Sequence, residues 1–117
     1  MKSLYRIANI KHGWSGLREV WREEWQFKYQ VGFVAIALTV SILLEVSPLE
    51  FFLLFATLCM AIGSEIINTL IENICDRIEP NYDSRIGTVK NIAAGFVIVA
   101  SLPAVVMIAW ILYSNLF

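Results

Sequence analysis

The chain has 117 residues, 58% of them hydrophobic and 16% charged, with a formal net charge of −1. A mean hydropathy of +0.66 is too apolar for an ordinary soluble domain, in which apolar residues make up about half. The near-neutral charge provides no basic balance for nucleic acid, and the length accommodates a single domain, residues 1–117. From Lys2 to Phe27, Leu4, Ile7, Trp14, Leu17 and Trp21 recur with Arg18, Arg22 and Glu23 between them, predicting an amphipathic surface helix over about 2–27. Gly13 and the Ser15-Gly16 pair predict that it splits into two pieces meeting around residues 12–16. Trp14, Trp21 and Trp25 suit the headgroup layer of a bilayer. This segment is charged throughout and has neither a compact apolar region nor a small-residue cleavage site, so the expectation is a chain retained whole.

Three uncharged stretches follow, Val31 to Leu44, Phe51 to Ser64 and Asn91 to Phe117. About 20 apolar residues cross a hydrocarbon core of roughly 30 Å, and with their flanks these stretches predict spans near 29–47, 49–75 and 91–115. The expected fold class is therefore an all-α membrane protein with three transmembrane helices and an N-terminal surface helix. Six of the nine basic residues precede residue 30 and three lie between Asp76 and Lys90. By the positive-inside rule, the N-terminus and second loop face the cytoplasm, and the first turn and C-terminus lie outside. Pro80, Asn81, Asp83, Ser84 and Gly87 predict a connection over Glu79 to Gly87. Pro103 predicts a bend in the third span. Cys59 and Cys75, about 24 Å apart along one helix, are too distant to bridge and are expected as small buried hydrophobes.

The second span carries the chemistry. Glu65, Asn68, Glu72 and Asp76 are spaced three, four and four residues apart, so one helical stripe holds three carboxylates and a carboxamide. A carboxylate at bilayer depth costs at least about 2.5 kcal/mol and normally faces protein or an aqueous cavity. Six apolar residues follow Glu65 within ten positions, which keeps that part of the stripe near or below the interface. Glu72, nearer the aqueous side, can bind a hydrated Mg²⁺ that also touches phosphate oxygens. Asp76, next to Arg77, reads equally as a helix end emerged into water. Lys90 is either an interface anchor or a point charge for phosphate. Helical pairing with Arg18 and Arg22 accounts for Glu23 and Glu24, His12 reads as a surface residue, and Ala93, Ala94 and Gly95 allow close helix approach. The sequence has no Walker A pattern, kinase glycine loop, HExxH or Cys/His metal cluster.

The run from Glu65 through Asn68 and Glu72 to Asp76-Arg77-Ile78, followed by Lys90-Asn91, resembles the ExxNxxIExxxDRI signature of the prokaryotic diacylglycerol kinases. Trp14-Ser-Gly-Leu-Arg18, with Trp21, Glu24 and Phe27, is similar to that family's surface helix, so the resemblance covers nearly the whole chain. It implies that Glu65 is the general base toward the lipid hydroxyl and that Glu24 and Glu72 hold Mg²⁺. It places Asn68 beside the base and Arg6, His12, Asp76, Asn81, Tyr82, Asp83, Lys90 and Asn91 around ATP. It sets Arg18, Trp21, Glu65 and Ala94 against the lipid. It further implies a homotrimer in the bacterial inner membrane, with sites shared between subunits, making phosphatidic acid from diacylglycerol and ATP. Asn91 stands where the family usually has Asp, and His12 where it usually has Tyr. Undecaprenol phosphorylation within the same family and a non-catalytic membrane subunit are the competing expectations.

Overall fold

The computed structural model describes residues 2–81 and 83–117, with side chains from residue 9 onward. The chain forms four helices, α1 (Lys2–Glu23), α2 (Trp25–Leu43), α3 (Pro48–Ile78) and α4 (Ser84–Leu116), with no strand among the described residues. The last three are long and apolar enough to cross a membrane. The expected class, one surface helix preceding three spans, is the observed one.

The expected break in the surface helix is not at residues 12–16. The helix runs through Gly13 and Gly16 and stops at Glu23, because a glycine costs only about 1 kcal/mol relative to alanine in a helix interior. The interruption is at Glu24, whose extended backbone (φ −109°, ψ 98°) makes an elbow, so α2 starts at Trp25 rather than 29. Aromatic packing braces the elbow, with Trp21 and Phe27 edge to face at 6.3 Å.

Local chemistry sets the other boundaries. Ser47 caps α3, its hydroxyl accepting from the Glu50 backbone N–H and donating to the Glu50 carboxylate, both at 3.1 Å, with Pro48 in the first turn. The turn before it puts Glu45 at φ 55°, in the left-handed region. Asp83 caps α4, accepting from the N–H groups of Arg85 (2.9 Å) and Ile86 (3.2 Å). The second connection is thus shorter than expected, ending at Asp83, and α4 begins well before residue 91. Pro103 does not interrupt α4, which is helical throughout.

α3 is central, packing extensively along α4 and less on α2. Its buried Leu54, Leu58, Ser64 and Cys75 meet Ala93, Ala100, Ala104 and Ile111 of α4, which recur at heptad-like intervals. Alanines opposite leucines let the backbones approach, which drives association where lipid removes the hydrophobic difference. Ala93 takes part in this contact and Ala94 is exposed. Cys75 is buried, but Cys59 is exposed, contrary to expectation, because it lies about 100° around the helix from the buried Leu58.

Helix lengths position the polar stripe. The 19 residues of α2 span about 28 Å, close to a hydrocarbon core. The far ends of α2 and α3 are level, since Val34, Ala37, Leu38, Leu44 and Val46 pack against the cluster of Leu54, Leu58, Ala104 and Ile111. The 31-residue α3 and 33-residue α4 therefore overrun α2 by about 18 Å and 21 Å at the end where α1 turns off. Residues 48–66 of α3 cover the slab that α2 defines, leaving Glu65 just inside it and Asn68, Glu72 and Asp76 on the projecting stalk. The molecule measures 51 × 44 × 24 Å. Three helices at about 10 Å spacing account for roughly 30 Å of width, so α1 extends sideways along the slab surface.

Candidate active site

Glu65 is half-buried, where two cavities of different character meet. On one side is an apolar cavity of about 530 Å³ between α2 and α4, walled by Phe33, Val34, Leu58, Ala104, Val105 and Ile108. On the other is a narrow cleft of about 10 Å³, the size of one water molecule, bounded by Glu24, Phe27, Gln30, Glu65, Ile66 and Thr69. The elbow at Glu24 thus brings a carboxylate separated by more than forty residues in sequence to the base of the stripe. Glu65 has no hydrogen-bond or ion-pair partner among the described residues, which leaves its carboxylate free to accept a proton.

Farther along the stalk, the Asn68 amide donates to Glu72 at 3.3 Å, while its own carbonyl oxygen is buried without a partner. Lys90 crosses from α4 to pair with Asp76. The Lys90 ammonium is therefore beside the stripe. Its charge is exposed and can exchange the carboxylate for an incoming phosphate.

Glu72 lies seven residues from Glu65, about 10.5 Å along the axis, and is exposed, whereas Glu24 and Glu65 line one cleft. No group of three or more His, Cys, Asp or Glu side chains gathers into a metal cage among the described residues. Hydrated Mg²⁺ needs only one or two carboxylates beside substrate phosphates, and this hard oxygen donor set suits such an ion. Asn81 and Asn91 are exposed at the stalk, and Asp83 is engaged as the α4 cap. His12 is exposed on α1, while the side chain of Arg6 and the whole of Tyr82 lie outside the described residues. Arg18 and Trp21 border a different cleft, and neither they nor Ala94 reach the apolar cavity.

Gln30 was not among the residues expected at the site. It lines both cavities around Glu65, and its side-chain oxygen is buried without a partner. A carboxamide at the head of an apolar run was the available signal. Ser101, the polar group that α4 contributes to the apolar cavity, was equally unmarked because its helix neighbours are uniformly apolar.

A carboxylate without a partner among the described residues, at the membrane edge between an apolar chamber and a polar cleft, fits an integral membrane enzyme that acts where lipid meets water. A family model for prokaryotic diacylglycerol kinase matches residues 11–112, and the chain belongs to that family of membrane lipid kinases. It is 29% identical over 109 residues to the diacylglycerol kinase of Escherichia coli K12, covering 93% of this chain and 89% of that one. The Shigella flexneri diacylglycerol kinase matches to the same extent. The family implies ATP as phosphoryl donor and a divalent metal ion.

Proposed function

We propose that the chain transfers the γ-phosphate of ATP to the hydroxyl of diacylglycerol, giving phosphatidic acid and ADP. The observation that carries this reading is the position of Glu65 at the rim of the apolar cavity. Acyl chains occupy the cavity, which brings the acceptor hydroxyl to the membrane edge beside the carboxylate. Glu65 takes the hydroxyl proton as the oxygen attacks the γ-phosphorus in line. The bond to the β,γ-bridging oxygen breaks, and ADP leaves toward water.

Placing the reactants and neutralising charge dominate phosphoryl transfer. Asn68 orients groups beside the base, and Lys90, released from Asp76, offsets phosphate charge. Asn81, Tyr82, Asp83, Asn91, His12 and Arg6 complete the nucleotide surroundings. Glu24 and Glu72 would hold Mg²⁺, whose contribution is to neutralise phosphate oxygens as charge develops. The site is shared between neighbouring subunits of a homotrimer. Arg18, Trp21 and Ala94 contact the lipid from outside the cavity. The enzyme is in the bacterial inner membrane, with α1 and the stalk cytoplasmic and the C-terminus outside.

The same cavity accommodates a polyprenol, so undecaprenol is the second substrate to test. Radiolabelled ATP supplied with each lipid in mixed micelles separates them. Labelled phosphatidic acid is the expected product. Label only in the polyprenol assigns the rival substrate, and label in neither supports a non-catalytic subunit.

A further inference from the structure

The elbow between α1 and α2 segregates its charges. Glu24 and Val20 face the cleft beside Glu65, whereas Arg18 and Arg22, one turn apart, face the other way, with Val20 about 200° around the helix from Arg18. Lys28, in the first turn of α2, folds back so that its ammonium is 5.7 Å from the centre of the Trp21 ring. Ser15, Arg18, Glu19, Trp21, Arg22 and Lys28 together enclose an open cleft of about 520 Å³. Glu19 is its single carboxylate and is engaged by Arg22 at 2.7 Å. Three cations against one acid leave a net positive cleft. The catalytic reading draws on Arg18 and Trp21 here but leaves Arg22 and Lys28 without a role.

We propose that this elbow cleft, through Arg22 and Lys28, binds the headgroup of an anionic phospholipid of the surrounding bilayer, a second lipid beside the neutral one that Arg18 and Trp21 contact. Depth favours a lipid as occupant. Trp25 and Tyr29, edge to face at 5.1 Å and both exposed, stand next to the cleft at the start of α2, where aromatic side chains mark the headgroup layer. Trp21 is held at that level by Phe27 and covered by Lys28, so the cations are supported by a ring that is stable half in hydrocarbon. A phosphodiester beside them gains from each cation, because basic groups close to an anionic surface attract its lipids additively. The bound lipid ties α1 to the membrane plane, and with it the Glu24 elbow on the reverse face.

The test reads binding rather than catalysis, so its outcome is independent of the kinase reading. In full-length protein with Trp14, Trp25 and Trp110 replaced by Phe, Trp21 fluorescence in vesicles is quenched by brominated phosphatidylglycerol or brominated phosphatidylcholine. Phosphatidylglycerol is expected to quench preferentially, with the preference weakening as salt rises. Replacing Arg22 and Lys28 together by Gln should reduce the preference by about five- to twenty-fold, whereas Arg22→Lys with Lys28→Arg should keep it. Equal quenching in the parent, a preference that persists in the Gln pair, or its loss in the charge-conserving pair would each overturn the proposal.

Discussion

The two halves of α3 follow opposite rules. From Leu54 to Ser64 its inner face is buried against α4, and Ser64 bonds the Ala61 carbonyl at 2.6 Å within its own helix. From Glu65 to Asp76 the same face carries groups left unpaired or lightly paired: Glu65 without a partner among the described residues, Asn68 with an orphaned carbonyl oxygen, and Asp76 sharing an exposed ion pair. Helix formation is uniform across both halves, so the difference lies in what the side chains meet. One half is saturated by its own neighbours and supports the fold. The other is left unsaturated within the chain, as a site must be if its partners are substrates, an ion and a second subunit.

Substitutions on either side of residue 64 sharpen or break that contrast. The largest effect is expected from Glu65→Gln, which removes the base but keeps shape and polarity. Lipid phosphorylation should fall by about 10²- to 10⁴-fold, with an unchanged elution profile in detergent. Transfer at the parental rate would remove Glu65 from the proposed chemistry. In the packed half, Leu54→Ala should cost about 2 kcal/mol, the low end for such truncations because the alternative surroundings are lipid rather than water. A lowered thermal unfolding midpoint checks it, and kcat measured well below that midpoint should change little.

Glu72→Gln is expected to raise the KM for Mg-ATP by about ten-fold, the scale of losing one charge-assisted contact, with little change in the unfolding midpoint. A large stability loss instead would mean that the stalk is saturated after all. The smallest effect is at the opposite end of the helix. Glu45 has a left-handed backbone that costs a residue with a Cβ about 1 kcal/mol, so Glu45→Gly should raise the unfolding midpoint by a degree or two while activity stays at the parental level.

Much of this was legible in the sequence for simple reasons. A bilayer demands runs of about 20 apolar residues, so the three spans were visible as uncharged stretches. The three-four-four spacing of Glu65, Asn68, Glu72 and Asp76 made a stripe visible because helical periodicity depends on nothing outside the helix. Boundaries were less legible. The start of α4 was missed although Asp83-Ser84 has cap character, because Pro80 and Gly87 pointed more strongly to a loop. The surface helix was expected to break at its glycines, whereas the actual break at Glu24 follows from aromatic packing between α1 and α2 that no local propensity encodes.

What the sequence determined by itself was therefore the number of spans, the family signature and the one-dimensional order of polar groups along α3, all of which depend on composition and period. The tertiary structure decided that Glu24 and Glu65 line one cleft, that Gln30 lines both cavities and that Lys90 reaches Asp76. It also decided that Arg22 and Lys28 share a cleft with Arg18. The reason is that helix lengths and one elbow set the relative heights of groups on different helices, and those heights follow from packing between segments distant in the chain.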